Sequence, residues 1–209
     1  MAASCCTNRI SSAKALKTMK TGLFFGSFNP VHIGHLVIAS YMAEFTDLEE
    51  VWFVVSPHNP LKDKATLLKD HHRLAMLRLA VEDSPHLKVS DIEFGLPIPS
   101  YTINTLVHLE ERHPKRTFAL ILGGDNLVGF KKWKNYEQIL ENHDLYVYPR
   151  QTPYAGEFET HPRVRFIDAP LMEISSSFIR EAIRTKKDVR YMLPPKVYDY
   201  LKEMHFYEK

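Results

Sequence analysis

The chain of 209 residues has only two cysteines, Cys5 and Cys6, and they are neighbours. Two adjacent thiols cannot build a disulfide framework or a four-thiolate zinc site, and they fit a reducing, cytoplasmic setting. No apolar run is long enough to span a bilayer. No acidic residue precedes Glu44. The formal net charge is only +2, too small to argue for a nucleic-acid or membrane partner, so any electrostatic site must come from local placement of charge. Gly-Lys-Ser/Thr is absent, which excludes a Walker loop. Gly-x-Gly-x-x-Gly is absent too, which excludes the fingerprint for a preformed dinucleotide.

What is present is ordinary for a globular chain: 44% hydrophobic and 25% charged residues. The first eighteen residues are basic, Ser-rich and free of acid. They read as an extension preceding one domain that starts at Met19, although an organelle transit peptide shares that composition. Beyond them, short apolar runs predict strands at 21–25, 51–55, 118–122, 145–148 and 164–167, with a short one within 87–94. Helical spacing predicts helices at 34–45, 70–81, 102–112, 135–141, 176–184 and 195–204. Ser100 or Thr102 is a candidate N-cap for the third helix. Pro194-Pro195 opens the last one. Strands alternating with helices predict a doubly wound, mostly parallel sheet with a small C-terminal helical part. Ligands of such sheets sit beyond the carboxyl ends of the strands, so the informative residues should follow strands.

They do. Directly after the first strand comes Gly26-Ser-Phe-Asn-Pro-Val-His-Ile-Gly-His35. Gly26 and Ser27 are small enough for close approach of a ligand to the backbone. Gly34 and His35 begin a helix, where free N–H groups and the dipole favour an anion. His32 and His35, three apart, can both face that anion. A tight turn with incidental histidines, or a His-x-x-His metal pair, would share part of this pattern.

The whole string resembles the His/Thr-x-Gly-His signature of the adenylyl- and cytidylyltransferases. A second string, Ile174-Ser-Ser-Ser-Phe-Ile-Arg180, is similar to that superfamily's Ile-Ser-Ser-x-x-Ile-Arg motif. Three more strings narrow the resemblance to bacterial nicotinate mononucleotide adenylyltransferases. They are Pro99-Ser-Tyr-Thr-Ile-Asn-Thr-Leu106, Gly123-Gly-Asp-Asn followed by Trp133, and Ser56-Pro-His-Asn-Pro-Leu-Lys62. Asn29 and Asn104 stand where many members carry Asp, and His58-Asn59 departs from the more frequent Pro-Pro-His.

The resemblance implies a Rossmann-like enzyme that takes ATP and nicotinate mononucleotide to nicotinate adenine dinucleotide and pyrophosphate, in NAD biosynthesis. It implies His32, His35 and Arg180 as the catalytic groups. Gly26, Ser27, Phe28, Gly123, Asp125, Ser176, Ser177 and Ile179 would bind ATP. Asn29, Lys62, Thr102, Trp133 and Lys134 would bind the mononucleotide, with Trp133 stacked on the pyridine ring. Mg²⁺ would be held mainly by substrate phosphates and water rather than by protein ligands. The partners are then small molecules, with no nucleic acid or membrane among them; a homo-oligomer is left open. Taken singly, Trp133 reads as a core aromatic, Asp125 as a turn residue, and Lys131, Lys132 and Lys134 as a solvated face. His71-His72 carries no motif.

Overall fold

Six strands form one parallel sheet, in a computed structural model that describes residues 18–57, 67–151 and 156–208. The expectations for residues 1–17 of the leader and for Lys62 lie outside the described residues. The chain enters at the centre of the sheet. Strand β1 (Met19–Gly26) leads into helix α1 (Ile33–Phe45), then β2 (Glu50–Val55), α2 (Asp70–Val81) and β3 (Leu87–Ser90). Helix α3 (Thr102–Arg112) brings the chain back past β1 to β4 (Arg116–Gly123). Short helix α4 (Gly124–Val128), α5 (Tyr136–Asn142), β5 (Leu145–Tyr148) and β6 (Val164–Phe166) follow. Two helices close the chain, α6 (Ser176–Arg184) and α7 (Pro195–Glu203).

The order across the sheet is β3-β2-β1-β4-β5-β6, all parallel. The order reverses between β1 and β4, the switch point where such sheets open a crevice. Helices cover both faces, so the strands are near-continuous apolar runs rather than alternating ones. On one face Phe24, Phe53, Ile121 and Tyr146 meet Ile38 and Met42 of α1, Leu77 of α2, Ile179 of α6 and Leu201 of α7. On the other, Leu23, Val54, Leu120 and Val147 meet Leu106 and Leu109 of α3 and Ile139 of α5. The sheet is thus wrapped on both sides, as the alternation of elements predicts.

Several bounds shift by one or two residues, and two features differ in kind. Neither Ser100 nor Thr102 caps α3: the cap position is Tyr101 and has no side-chain capping bond. Ser100 instead donates its hydroxyl to the buried carboxylate of Glu93 at 3.1 Å, and Thr105 donates to the same group at 2.8 Å. A buried carboxylate must be hydrogen-bonded, and it claims the hydroxyl a cap would have used. The turn at Gly123-Gly124 continues into α4, one short helix that no apolar period announces. Among the described residues no helix is long and apolar enough to cross a membrane.

Candidate functional site

The carboxyl ends of β1 and β4 carry the Gly26–His35 string and the Gly123-Gly-Asp-Asn string. At β1, Phe28 adopts a left-handed backbone (φ 45°) and folds its ring back over Gly26. A Cβ on Gly26 would meet that ring at 2.8 Å, so any larger residue there would have to displace the ring. The Phe28 ring is buried among Phe24, Phe53 and His35, with centroids 5.1 Å from His35. This fixes the backbone of residues 26–28 beside the start of α1.

His32 is the N-cap residue of α1 and His35 is in its first turn. Their rings stack with centroids 3.7 Å apart. The His32 backbone N–H donates to His35 Nδ1 at 3.3 Å. Gly34 allows this pairing, because a Cβ there would press on the His32 ring at 3.1 Å. His32 is 4% exposed, and burial, then the nearby Arg150 charge, push its pKa down to about 4. It is therefore neutral at pH 7. Its Nδ1 is buried and has no hydrogen-bond partner among the described residues. Such an atom costs about 1–3 kcal/mol until a ligand satisfies it.

The second string closes onto the first. Ser175 caps α6, its hydroxyl accepting from Phe178 N–H at 3.2 Å. Ser176 Oγ donates to the Pro30 carbonyl at 2.9 Å. Arg180 donates from Nη1 to the Asn29 carbonyl at 2.8 Å and from Nη2 to Ser177 Oγ at 3.2 Å. Two segments about 150 residues apart are so joined by a serine and an arginine, at sequence separations of 146 and 151. Ile179 faces the core with no exposure, and its N–H is spent on Ser175, so it seats the helix rather than meeting solvent. The Asn29 side-chain oxygen accepts from Leu68 N–H at 3.2 Å and from the Tyr207 hydroxyl at 2.6 Å.

At the end of β4, Asp125 lies in the first turn of α4. Arg150, two residues beyond β5, places Nε 3.4 Å from Asp125 Oδ1, an ion pair rather than a hydrogen bond. Its guanidinium also lies 5.2 Å from the Tyr148 ring centroid. Sequence reasoning missed Arg150; the available signal was its place just after a strand's carboxyl end. It also missed Arg73, which has no exposed surface. Arg73 donates to the carbonyls of Leu68, Ser27, Ser56 and Pro57 and to Asp70, at 2.6–3.2 Å. All five of its N–H donors are spent, and they lock the turn after β1 to the turn after β2.

The predicted residues Thr102 and Lys134 are brought near each other through Tyr101. Thr102 is the first residue of α3, half-buried at its N-terminus. Lys134 lies with Nζ 4.5 Å from the Tyr101 ring centroid, which brings the turn at Trp133-Lys134 to the start of α3. Trp133 is half-buried, its ring 5.3 Å from that of Phe130. The arrangement offers donors and positive charge: a histidine pair, Arg150 and Arg180, and the N-termini of α1 and α3. No cluster of three or more acidic, histidine or cysteine side chains that could hold a metal occurs among the described residues. The donors present suit phosphate oxygens.

The model of the cytidylyltransferase-like family matches residues 23–182. A Flavobacterium johnsoniae protein named "Probable nicotinate-nucleotide adenylyltransferase" is 56% identical, covering 91% of this chain and 100% of its own length. A Bacteroides fragilis protein of the same name is 51% identical over 86% of this chain and 89% of its own. Among solved structures, Plasmodium falciparum nicotinic acid mononucleotide adenylyltransferase complexed with NaAD superposes with a TM-score of 0.75. It is 20% identical, covering 90% of this chain and 97% of that one, a likeness of fold.

Proposed function

The chain belongs to the cytidylyltransferase-like nucleotidyltransferase family, and on that premise we propose that it transfers the adenylyl group of ATP to nicotinate mononucleotide. The products are nicotinate adenine dinucleotide and pyrophosphate. The observation that carries this reading is the joining of the two signature strings at the switch point by Arg180 and Ser176. That juxtaposition gathers anion-binding donors from both signature strings in one place.

The mononucleotide phosphate is mostly a dianion at neutral pH, its second pKa being about 6. It needs no protein base. One of its oxygens bonds to the α-phosphorus of ATP while the bond to the β-phosphate oxygen breaks, and pyrophosphate leaves with that electron pair. The barrier is the approach of two anions, so catalysis rests on in-line positioning and on charge neutralisation. His32 and His35 face the triphosphate as N–H donors, with Arg180, Ser176 and Ser177 beside them. The backbone of Gly26, Ser27 and Phe28 lines the reacting phosphates. Gly123 and Asp125 take the adenosine ribose, and Arg150 joins the anion site. Thr102 and the Trp133-Lys134 turn hold the pyridine end, and Lys62 aids the phosphates. Mg²⁺ would be held by the ATP phosphates and would help to neutralise charge on the leaving group. The two adjacent cysteines suit work in the cytoplasm.

Pyrophosphate release from Mg·ATP, measured with nicotinate mononucleotide, nicotinamide mononucleotide and pantetheine phosphate in turn, tests the reading. Fastest release with the first is expected. Release only with pantetheine phosphate, or with none, overturns it.

A further inference from the structure

Tyr207 lies three residues beyond Met204, the C-cap of α7, yet it reaches into the turn that carries the first signature. His205 and Tyr207 both take left-handed backbone conformations (φ 51° and 65°), uncommon for residues with side chains. Phe206 between them donates its N–H to Leu201 and packs its ring 4.7 Å from that of His72. The tail is therefore turned back and seated on α2, not left trailing. The seat aims the Tyr207 hydroxyl at Asn29 Oδ1, 2.6 Å away.

Asn29 stands at the junction of three of these links. Its side-chain oxygen is gripped by Tyr207 from the C-terminal tail and by Leu68 N–H from the segment just before α2. Its main-chain oxygen receives Arg180 Nη1 at 2.8 Å. The next carbonyl, that of Pro30, receives Ser176. An arginine has five N–H donors in a rigid fork, so one bond to a fixed carbonyl sets the plane in which the rest point. The rest are aimed by where Asn29 is held. Burial raises the Tyr207 pKa far above the ordinary phenol value, although the Arg180 and Arg73 charges pull it down. The hydroxyl is thus a donor at every working pH.

We propose that Tyr207 is a positioning residue for adenylyl transfer: by pinning Asn29 it sets the orientation of Arg180 toward the triphosphate. Tyr207 touches no reacting atom, and it acts through another side chain. The proposal rests on the function proposed above, in which Arg180 neutralises charge on the leaving pyrophosphate. Asn29, read from sequence as an acceptor contact, here gains a role as the pivot between tail and arginine.

The test is a double-mutant cycle with Tyr207→Phe, which removes one oxygen and keeps the ring, and Arg180→Ala. Tyr207→Phe should fold with a near-normal melting temperature and lose kcat about tenfold, more than KM for ATP changes, since small misplacements act on the transition state. In the Arg180→Ala background the same change should cost almost nothing further, because the group it orients is gone. A purely structural tyrosine would instead multiply its effect onto that of Arg180. Full kcat in Tyr207→Phe, or strictly multiplicative losses, overturns the proposal. Should Tyr207→Phe fail to fold, Asn29→Ala breaks the same bond from its other end and must show the same non-additivity. The cycle is run with whichever acceptor releases pyrophosphate in the wild-type protein. A wrong acceptor therefore overturns the function proposed above without touching the coupling of Tyr207 to Arg180.

Discussion

The imidazoles of His32 and His35 lie nearly face to face, their planes inclined by 26°, with the His32 backbone N–H aimed at His35 Nδ1. An acceptor role for Nδ1 puts the proton of a neutral His35 ring on Nε2. His35 thereby offers a fixed N–H donor for charge that grows on the leaving group. His35→Ala should lower kcat by about 10²–10³ with little change in melting temperature. Near-normal turnover, read beside a thermal melt, would reject that role.

Arg150 should act on His32. Burial accounts first for the low His32 pKa of about 4, and the Arg150 charge second. Arg150→Gln keeps most of the bulk and removes the charge, so the His32 pKa should rise. The same change should raise KM for ATP by roughly 10–100-fold, the worth of one charge-assisted hydrogen bond. NMR titration of the His32 ring in the free protein decides the first point; an unmoved titration curve would refute the coupling.

Arg73→Met should destabilise the fold by about 3–5 kcal/mol, since it leaves four carbonyls and Asp70 without their shared donor. At this chain length that is roughly 6–20 °C in Tm. Urea unfolding gives the free energy. A loss under about 1 kcal/mol would mean that the two turns hold together without the arginine.

Acceptor choice should rest on Thr102. A carboxylate only accepts hydrogen bonds, whereas an amide also donates. The N-terminus of α3 and the Thr102 hydroxyl favour the acceptor. kcat/KM for nicotinate mononucleotide should exceed that for the nicotinamide form by more than about tenfold. Thr102→Ala should narrow the ratio, while Trp133→Ala should weaken both acceptors alike. Equal kcat/KM in the wild-type protein would sink this account.

Stability should fall at both ends of the pH scale for identifiable reasons. At the amino ends of the strands, Lys20 joins Asp47, Asp144 and Tyr146, and Arg165 bridges both carboxylates. Burial raises the Asp47 pKa, but hydrogen bonds from Tyr146 and Lys20 outweigh it and hold it at about 2. A depressed carboxylate pKa gives stability that is present above the unfolded value of 3.8 and lost as pH falls toward 2. His32 adds a loss that begins earlier, between 6.5 and about 4, because its folded form resists protonation. Burial, then the bond to Asp47, raise Tyr146 to about 12, so its contribution is complete below 10 and lost as pH climbs toward 12. Chemical denaturation across pH should give a plateau between about 6.5 and 10. For Tyr146→Phe, an unchanged alkaline limb would count against this network.

The bounds of α2 and β5 were legible residue by residue, because buried parallel strands are apolar runs and helices keep a 3.6-residue stripe. The two signature strings were legible as chemistry because both sit at turns where backbone donors are exposed. What sequence could not reveal is which polar groups the fold would turn inward. Arg73 lies among helical residues, and nothing in the local pattern marks it as buried. Only the folded chain brings carbonyls 46 and 17 residues away onto it. Glu93 likewise takes Ser100 as a partner, and so displaces the cap that local spacing favours. Tyr207 carries no motif, and its reach of 178 residues back to Asn29 is invisible to any local pattern.

The central strand imposes an order in time. β1 leaves the ribosome well before its neighbour β4, which lies 97 residues later, measured from Met19 to Arg116. At about 5–20 residues per second, the nascent chain carries one half of the cleft for roughly 5–20 s before the other half exists. Over that interval the apolar β1 and β2 can pair only with each other and with β3, leaving one edge of β1 open. Arg180 is made later still, so a partly synthesised chain can hold the histidine pair without the cation that completes the phosphate grip. Stalled or truncated chains should therefore seek chaperones through the bare edge of β1, and they should not sequester ATP.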